Sequence, residues 1–128
     1  MITERFNELI DELEGSSVKT LKEKNARYSS NNDCLHNFNS GADIMGGTSA
    51  EACWGYLTKH LVALRDMVKK DDFSNREDFL EKCQDSINYI RFLWCIGNDR
   101  NTLRCTTDVS EYHPRHIGLT KLENRKGE

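Results

Sequence analysis

Proline is all but missing from this chain: the single residue, Pro114, stands in the tail. Long apolar runs are missing too. None reaches the roughly 20 residues that a membrane-crossing helix needs, so no membrane span is expected. The opening Met-Ile-Thr-Glu-Arg-Phe lacks the basic and apolar regions of a signal peptide. No CxxC pair occurs, and the five cysteines, Cys34, Cys53, Cys83, Cys95 and Cys105, are odd in number. Neither a disulfide framework nor a zinc knuckle is therefore indicated. Cysteines on apolar helix faces act as small hydrophobes, and the chain reads as a reduced, cytoplasmic protein. An excess of positive charge is also lacking. The net charge is −3, with both signs spread along the chain, which argues against a dedicated nucleic-acid surface. There is no internal repeat and no low-complexity tract.

What is present suits one compact domain of three or four helices. The chain has 128 residues, 30% of them charged and 37% hydrophobic. Phe6, Leu9, Ile10 and Leu13 recur at helical spacing and predict a first helix over about 3–14, with Thr3 as its N-cap. Gly15-Ser16-Ser17 then reads as a break or bend. A second helical stretch follows over about 17–28, with Val18 and Leu21 inward. Residues 29–47 are rich in Asn, Ser and Gly, as turns are. They read as a long loop, with a short helical turn at Ala42 to Met45. Loops of this length in small domains are often functional.

The third helix is the clearest. Thr48-Ser49-Ala50-Glu51 has the form of a capping box. An apolar stripe of Cys53, Trp54, Leu57, Leu61, Leu64 and Val68 follows to about Lys70. Ser74-Asn75-Arg76-Glu77 reads as a second capping box, opening a fourth helix that ends near Gly97. The short link at Asp71 to Phe73 predicts an antiparallel hairpin. From Asn98 onward the pattern fades into an irregular arm or a short strand pair. The expected division is a helical bundle over 1–97 and an arm over 98–128.

The chemistry concentrates on the fourth helix. Glu81, Asp85 and Asn88 are spaced four and three apart, so they share one face, and Tyr89 follows. Carboxylates on a mostly buried helix are costly unless a cation faces them. That cation can be a metal, a Lys or Arg, or a ligand. Carboxylates on adjacent turns can hold Mg²⁺ through oxygen. They can equally pair with a lysine of the neighbouring helix. Lys59, between Leu57 and Leu61, can lay its stem on apolar surface and reach a cleft. His60 can titrate near neutrality, although a lone His is more often a hydrogen-bonded structural residue. Lys24, Arg27 and Tyr28, with Asn37 and Phe38 of the loop, offer groups suited to a phosphate and a base.

The order Lys24-Asn25-x-x-Tyr28, then Asn37-Phe38, then Lys59, then Asp85 with Asn88-Tyr89 resembles the phage-type MazG-like proteins of the all-α nucleoside triphosphate pyrophosphatase superfamily. The resemblance covers about residues 18–96. It implies an all-α bundle whose catalytic members bind Mg²⁺ and cleave a nucleoside triphosphate to the monophosphate and pyrophosphate. It implies Asp85 as a metal-binding carboxylate, Tyr89 as the aromatic after it and Lys59 as the basic residue before it. It also implies a homo-oligomer and, for a phage protein, the host cytoplasm. The chain departs from the family pattern in two places. Lys82 stands where the second acidic motif has Glu, leaving Glu81 one position displaced, and the glutamate cluster of the first motif is absent from the third helix.

Three roles follow from these residues. One is a nucleotide pyrophosphatase with a reduced Mg²⁺ site built on Asp85 and Glu81. Another is a non-catalytic protein that sequesters a nucleotide signal of host defence, using Lys24, Arg27, Tyr28, Asn37, Lys59, His60, Asn88 and Tyr89. The last is an inhibitor that binds a host defence protein.

Overall fold

The computed structural model describes residues 1–28 and 33–107, with side chains for 1–27 and 33–99. These residues form an all-α structure of four helices: α1 (Thr3–Tyr28), α2 (His36–Met45), α3 (Ser49–Lys70) and α4 (Arg76–Thr107). No helix among the described residues is long and apolar enough to cross a membrane. The chain divides into two units, 1–94 and 95–128.

Four main helices were expected, but they are not the four that form. The break at Gly15-Ser16-Ser17 does not occur, and α1 runs unbroken through it. A helical glycine costs only about 1 kcal/mol relative to alanine, which tertiary contacts can override. Ser17 is fully buried, and its hydroxyl donates to the Glu14 carbonyl at 3.1 Å. The small residues mark where α4 packs on α1, rather than the end of a helix. Thr3 lies inside α1 rather than capping it. The Phe6 amide donates to the Ile2 carbonyl, which puts Ile2 at the cap.

The expected long loop is the second difference, because most of it is α2. Phe38 and Ala42 are buried four residues apart on one face, with Leu35 buried just before the helix. Their burial outweighs the poor helix propensity of the Asn, Ser and Gly around them. Gly46 ends the helix in the left-handed region, at φ 78°, with its amide donating to the Ala42 carbonyl at 2.8 Å.

The capping box of α3 forms as read. The Glu51 amide donates to Thr48 Oγ1 at 3.1 Å, and the Thr48 amide donates to Glu51 Oε1 at 2.8 Å. A Cβ on Gly47 would lie 2.7 Å from Glu51 Oε1, so a side chain there would make the returning carboxylate shift. The second capping box is different. Asn75 is the cap, its Oδ1 accepting from the Asp78 amide at 3.1 Å. Ser74 instead donates through its amide and hydroxyl to Asp72 at 3.0 and 2.6 Å. Between the helices, Asp71 takes a left-handed conformation at φ 53°.

Helices α3 and α4 run in opposite senses. Cys53 meets the Tyr89 carbonyl and, further along α3, His60 meets Asp85 further back on α4. Helix α4 does not end near Gly97 but continues to Thr107, replacing the start of the expected arm. The rest of that arm, 108–128, lies outside the described residues.

The apolar stripe of α3 is only partly core. Ala52, Cys53 and Leu57 are buried, whereas Trp54, Leu61 and Val68 are 56%, 40% and 64% exposed. The buried set faces α2 and α4, while the seven-residue row at 54, 61 and 68 is turned away. Ile90 and Trp94 of α4 are likewise exposed.

Candidate functional site

Asp85 is 5% exposed, and its two oxygens face two different helices. Oδ1 accepts from Lys24 Nζ of α1 at 3.3 Å. Oδ2 lies 3.8 Å from His60 Nδ1 of α3, beyond hydrogen-bond length. Lys59, expected opposite Asp85, is exposed instead. One helical residue is a rotation of about 100°, and it is His60 that this rotation presents to α4.

Burial pushes the His60 imidazole below its ordinary value, against the pull of Asp85. Lys82, Lys24 and Lys59 push it further down. His60 is therefore neutral at pH 7, and Lys24 is the cation that faces Asp85.

Glu81 does not join Asp85. It is exposed, and its carboxylate lies 3.8 Å from Lys82 Nζ, which also pairs with Asp78 at 3.2 Å. The hydrogen bond to Asp78 holds the Lys82 ammonium above its ordinary range. Magnesium takes a near-octahedral set of oxygen ligands. Asp85 has an ammonium at 3.3 Å, and no group of three His, Cys, Asp or Glu among the described residues could hold an ion. The described donor set therefore does not fit a resident magnesium cage.

Asn88 is buried and bonded at both ends of its amide. Its Nδ2 donates to the Ser17 carbonyl at 3.0 Å, and its Oδ1 accepts from Arg91 Nη1 at 2.8 Å. Arg91 also donates to Ser17 Oγ at 2.9 Å and to Glu14 Oε1 at 3.2 Å. Ser16 bonds Gln84 alongside. These groups clamp α1 to α4.

Tyr89 forms the flat part of the site. Its ring stacks on Tyr56 at 5.9 Å and on His60 at 5.3 Å, with interplanar angles of 25° and 21°. Beneath it Cys53 donates its thiol proton to the Tyr89 carbonyl at 3.3 Å. Burial pushes that thiol up to about 11, so Cys53 is a packing residue and not a nucleophile.

These elements enclose a half-open pocket of about 350 Å³. One wall is aromatic, made by Phe38, Tyr56, Tyr89 and Phe92. The Phe38 and Phe92 rings are tilted at 5.0 Å. The facing edge is polar, made by Lys24, Asn25, Asn37, Asp85 and Asn88. The carbonyl oxygen of Asn25 is sealed from solvent and has no hydrogen-bond partner.

Of the residues singled out in the sequence, the fold thus gathers Lys24, Asn37, Asp85, Asn88 and Tyr89 around one cavity, with His60 behind Asp85. Arg27, Lys59 and Glu81 are exposed and do not line it. The side chain of Tyr28 lies outside the described residues. Asn25, named in the sequence only within the Lys24–Tyr28 motif, also lines the pocket; sequence reasoning missed Tyr56, Phe92 and Arg91. Helical spacing offered a signal for two of them, since Arg91 and Phe92 lie three residues beyond Asn88 and Tyr89. No protein-family model matches this chain, and neither does any curated protein or solved structure.

Proposed function

We propose that this protein binds a nucleotide in the pocket between α1, α2, α3 and α4, on a MazG-like helical scaffold. One observation carries the reading: a single cavity has rings on one wall and an ammonium, a carboxylate and amides on the other. A volume of about 350 Å³ is at the small end of ligand pockets and suits a base and its sugar. A base laid on an aromatic wall gains about 1–3 kcal/mol from stacking. Lys24, whose side chain is 43% exposed, can turn toward a phosphate at the pocket mouth. Lys59, close enough to depress His60, adds positive charge on that side.

The reading favours binding over turnover. Asp85 and Glu81 each face a lysine, Lys24 and Lys82 respectively, and a carboxylate in that state is poorly placed to hold magnesium. In a phage, such a protein would withdraw a nucleotide signal from the host cytoplasm. The exposed row Trp54, Leu61 and Val68 has the seven-residue spacing of a helix–helix seam, and it favours a homo-oligomer.

The test is calorimetric titration with a panel of nucleotides, with and without Mg²⁺, while pyrophosphate release is followed. Binding without turnover is the expected result. Magnesium-dependent turnover abolished by Asp85→Ala would replace it with the pyrophosphatase reading. No binding to any nucleotide would end both and leave inhibition of a host protein.

A further inference from the structure

The pocket is lined by a carboxylate that the protein satisfies only in part. An ionised carboxylate offers about four lone-pair sites. Asp85, 5% exposed, receives one hydrogen bond, from Lys24 at 3.3 Å, and His60 Nδ1 at 3.8 Å is too distant to give another. Asn25 Oδ1 also receives none, but it is sealed beneath the surface and out of a ligand's reach. Buried acceptors without donors are rare in folded proteins and costly. Among the residues lining the pocket Asp85 is the one carboxylate, and a ligand that completes its hydrogen bonding must bring N–H groups.

Nucleobases differ in this respect. Guanine, adenine and cytosine carry an exocyclic amino group; uracil has a carbonyl where cytosine has that group, and hypoxanthine has only a hydrogen where guanine has it. A carbonyl set against Asp85 would place an acceptor against an acceptor, and a bare C–H would leave the carboxylate as it is. We propose that the pocket selects nucleotides with an amino-bearing base, and that Asp85 is the residue that makes the selection. The inference rests on the nucleotide reading above and specifies it. The rings of Tyr89 and Phe38 accept any base, and the discrimination lies on the polar edge.

The experiment compares pairs that differ at that group, by calorimetry on the unmodified protein: guanosine against inosine monophosphate, and cytidine against uridine monophosphate. In each pair that binds, the amino-bearing member is expected to bind about tenfold more tightly, as one added charge-assisted hydrogen bond allows. Asp85→Asn, which replaces an acceptor with a donor at nearly constant shape, is expected to erase or invert the preference. Equal binding within the pairs, or tighter binding of inosine and uridine monophosphates, would overturn the selection while leaving nucleotide binding in place. Binding of none of the four, nor of any other nucleotide, would instead remove the reading on which the inference rests.

Discussion

Two stretches of one helix meet α1 in opposite ways. Around Asn88 and Arg91 the donors and acceptors are matched: Ser17, Asn88, Glu14 and Arg91 bond one another. One turn earlier, around Asp85, they are not. A buried carboxylate holds a single hydrogen bond and the neighbouring Asn25 carbonyl has none. Both stretches are polar residues on a buried face, and composition cannot tell them apart. Satisfaction can: a closed set of hydrogen bonds belongs to the architecture, and an open acceptor beside a cavity is available to a ligand.

The largest way to break this contrast is Arg91→Ala. It leaves Ser17 Oγ, Asn88 Oδ1 and Glu14 without their shared donor. The expected loss is about 2–3 kcal/mol of stability, read as a lower midpoint in denaturant. Asp85→Ala should behave in the opposite way. Its partner Lys24 is 43% exposed and stays solvated without it, so the cost should be about 1 kcal/mol or less, yet nucleotide binding should fall at least tenfold. A large stability loss at Asp85 with binding intact would reverse the two roles.

A smaller effect separates both regions from ordinary helix capping. Thr48→Ala removes the acceptor for the Glu51 amide and should cost about 1 kcal/mol, with no change in nucleotide affinity. The smallest effect is on pH dependence. Burial holds His60 below its ordinary value of 6.5. As pH falls below 6.5 the unfolded chain takes up a proton that the folded chain refuses, so stability declines. The decline stops once pH passes below the depressed folded value, where both forms are protonated. His60→Gln should flatten that slope between pH 7 and its lower end, measured by denaturation at a series of pH values.

Local signals were the legible part of the fold. The Thr48 and Glu51 side chains bond the backbone within four residues of each other, so their role depends on nothing distant. The hairpin of α3 and α4 follows from a short link between two strongly periodic stretches. The start of α4 was legible to within a residue, although Asn75 and not Ser74 holds the cap. The serines at 16 and 17 were misread because a small polar residue signals a turn locally and a close helix contact globally. Helix α2 was hidden because its stability comes from burying Phe38 and Ala42, not from propensity.

The candidate site divides in the same way. That Asp85, Asn88 and Tyr89 share a region of one helix follows from a period of 3.6 residues, and it needs no partner. The sequence alone therefore placed the carboxylate, the amide and the ring near one another. Which cation faces Asp85 was a question about rotation and depth of packing between helices. The tertiary structure decided for Lys24 with His60 beside it, and left Lys59 exposed. It also decided that Glu81 turns outward to Lys82 while Asn88 turns inward to Ser17. The reason is geometric: helical periodicity orders side chains around one axis, but only the packing of several axes fixes which charges meet and which acceptors are left open.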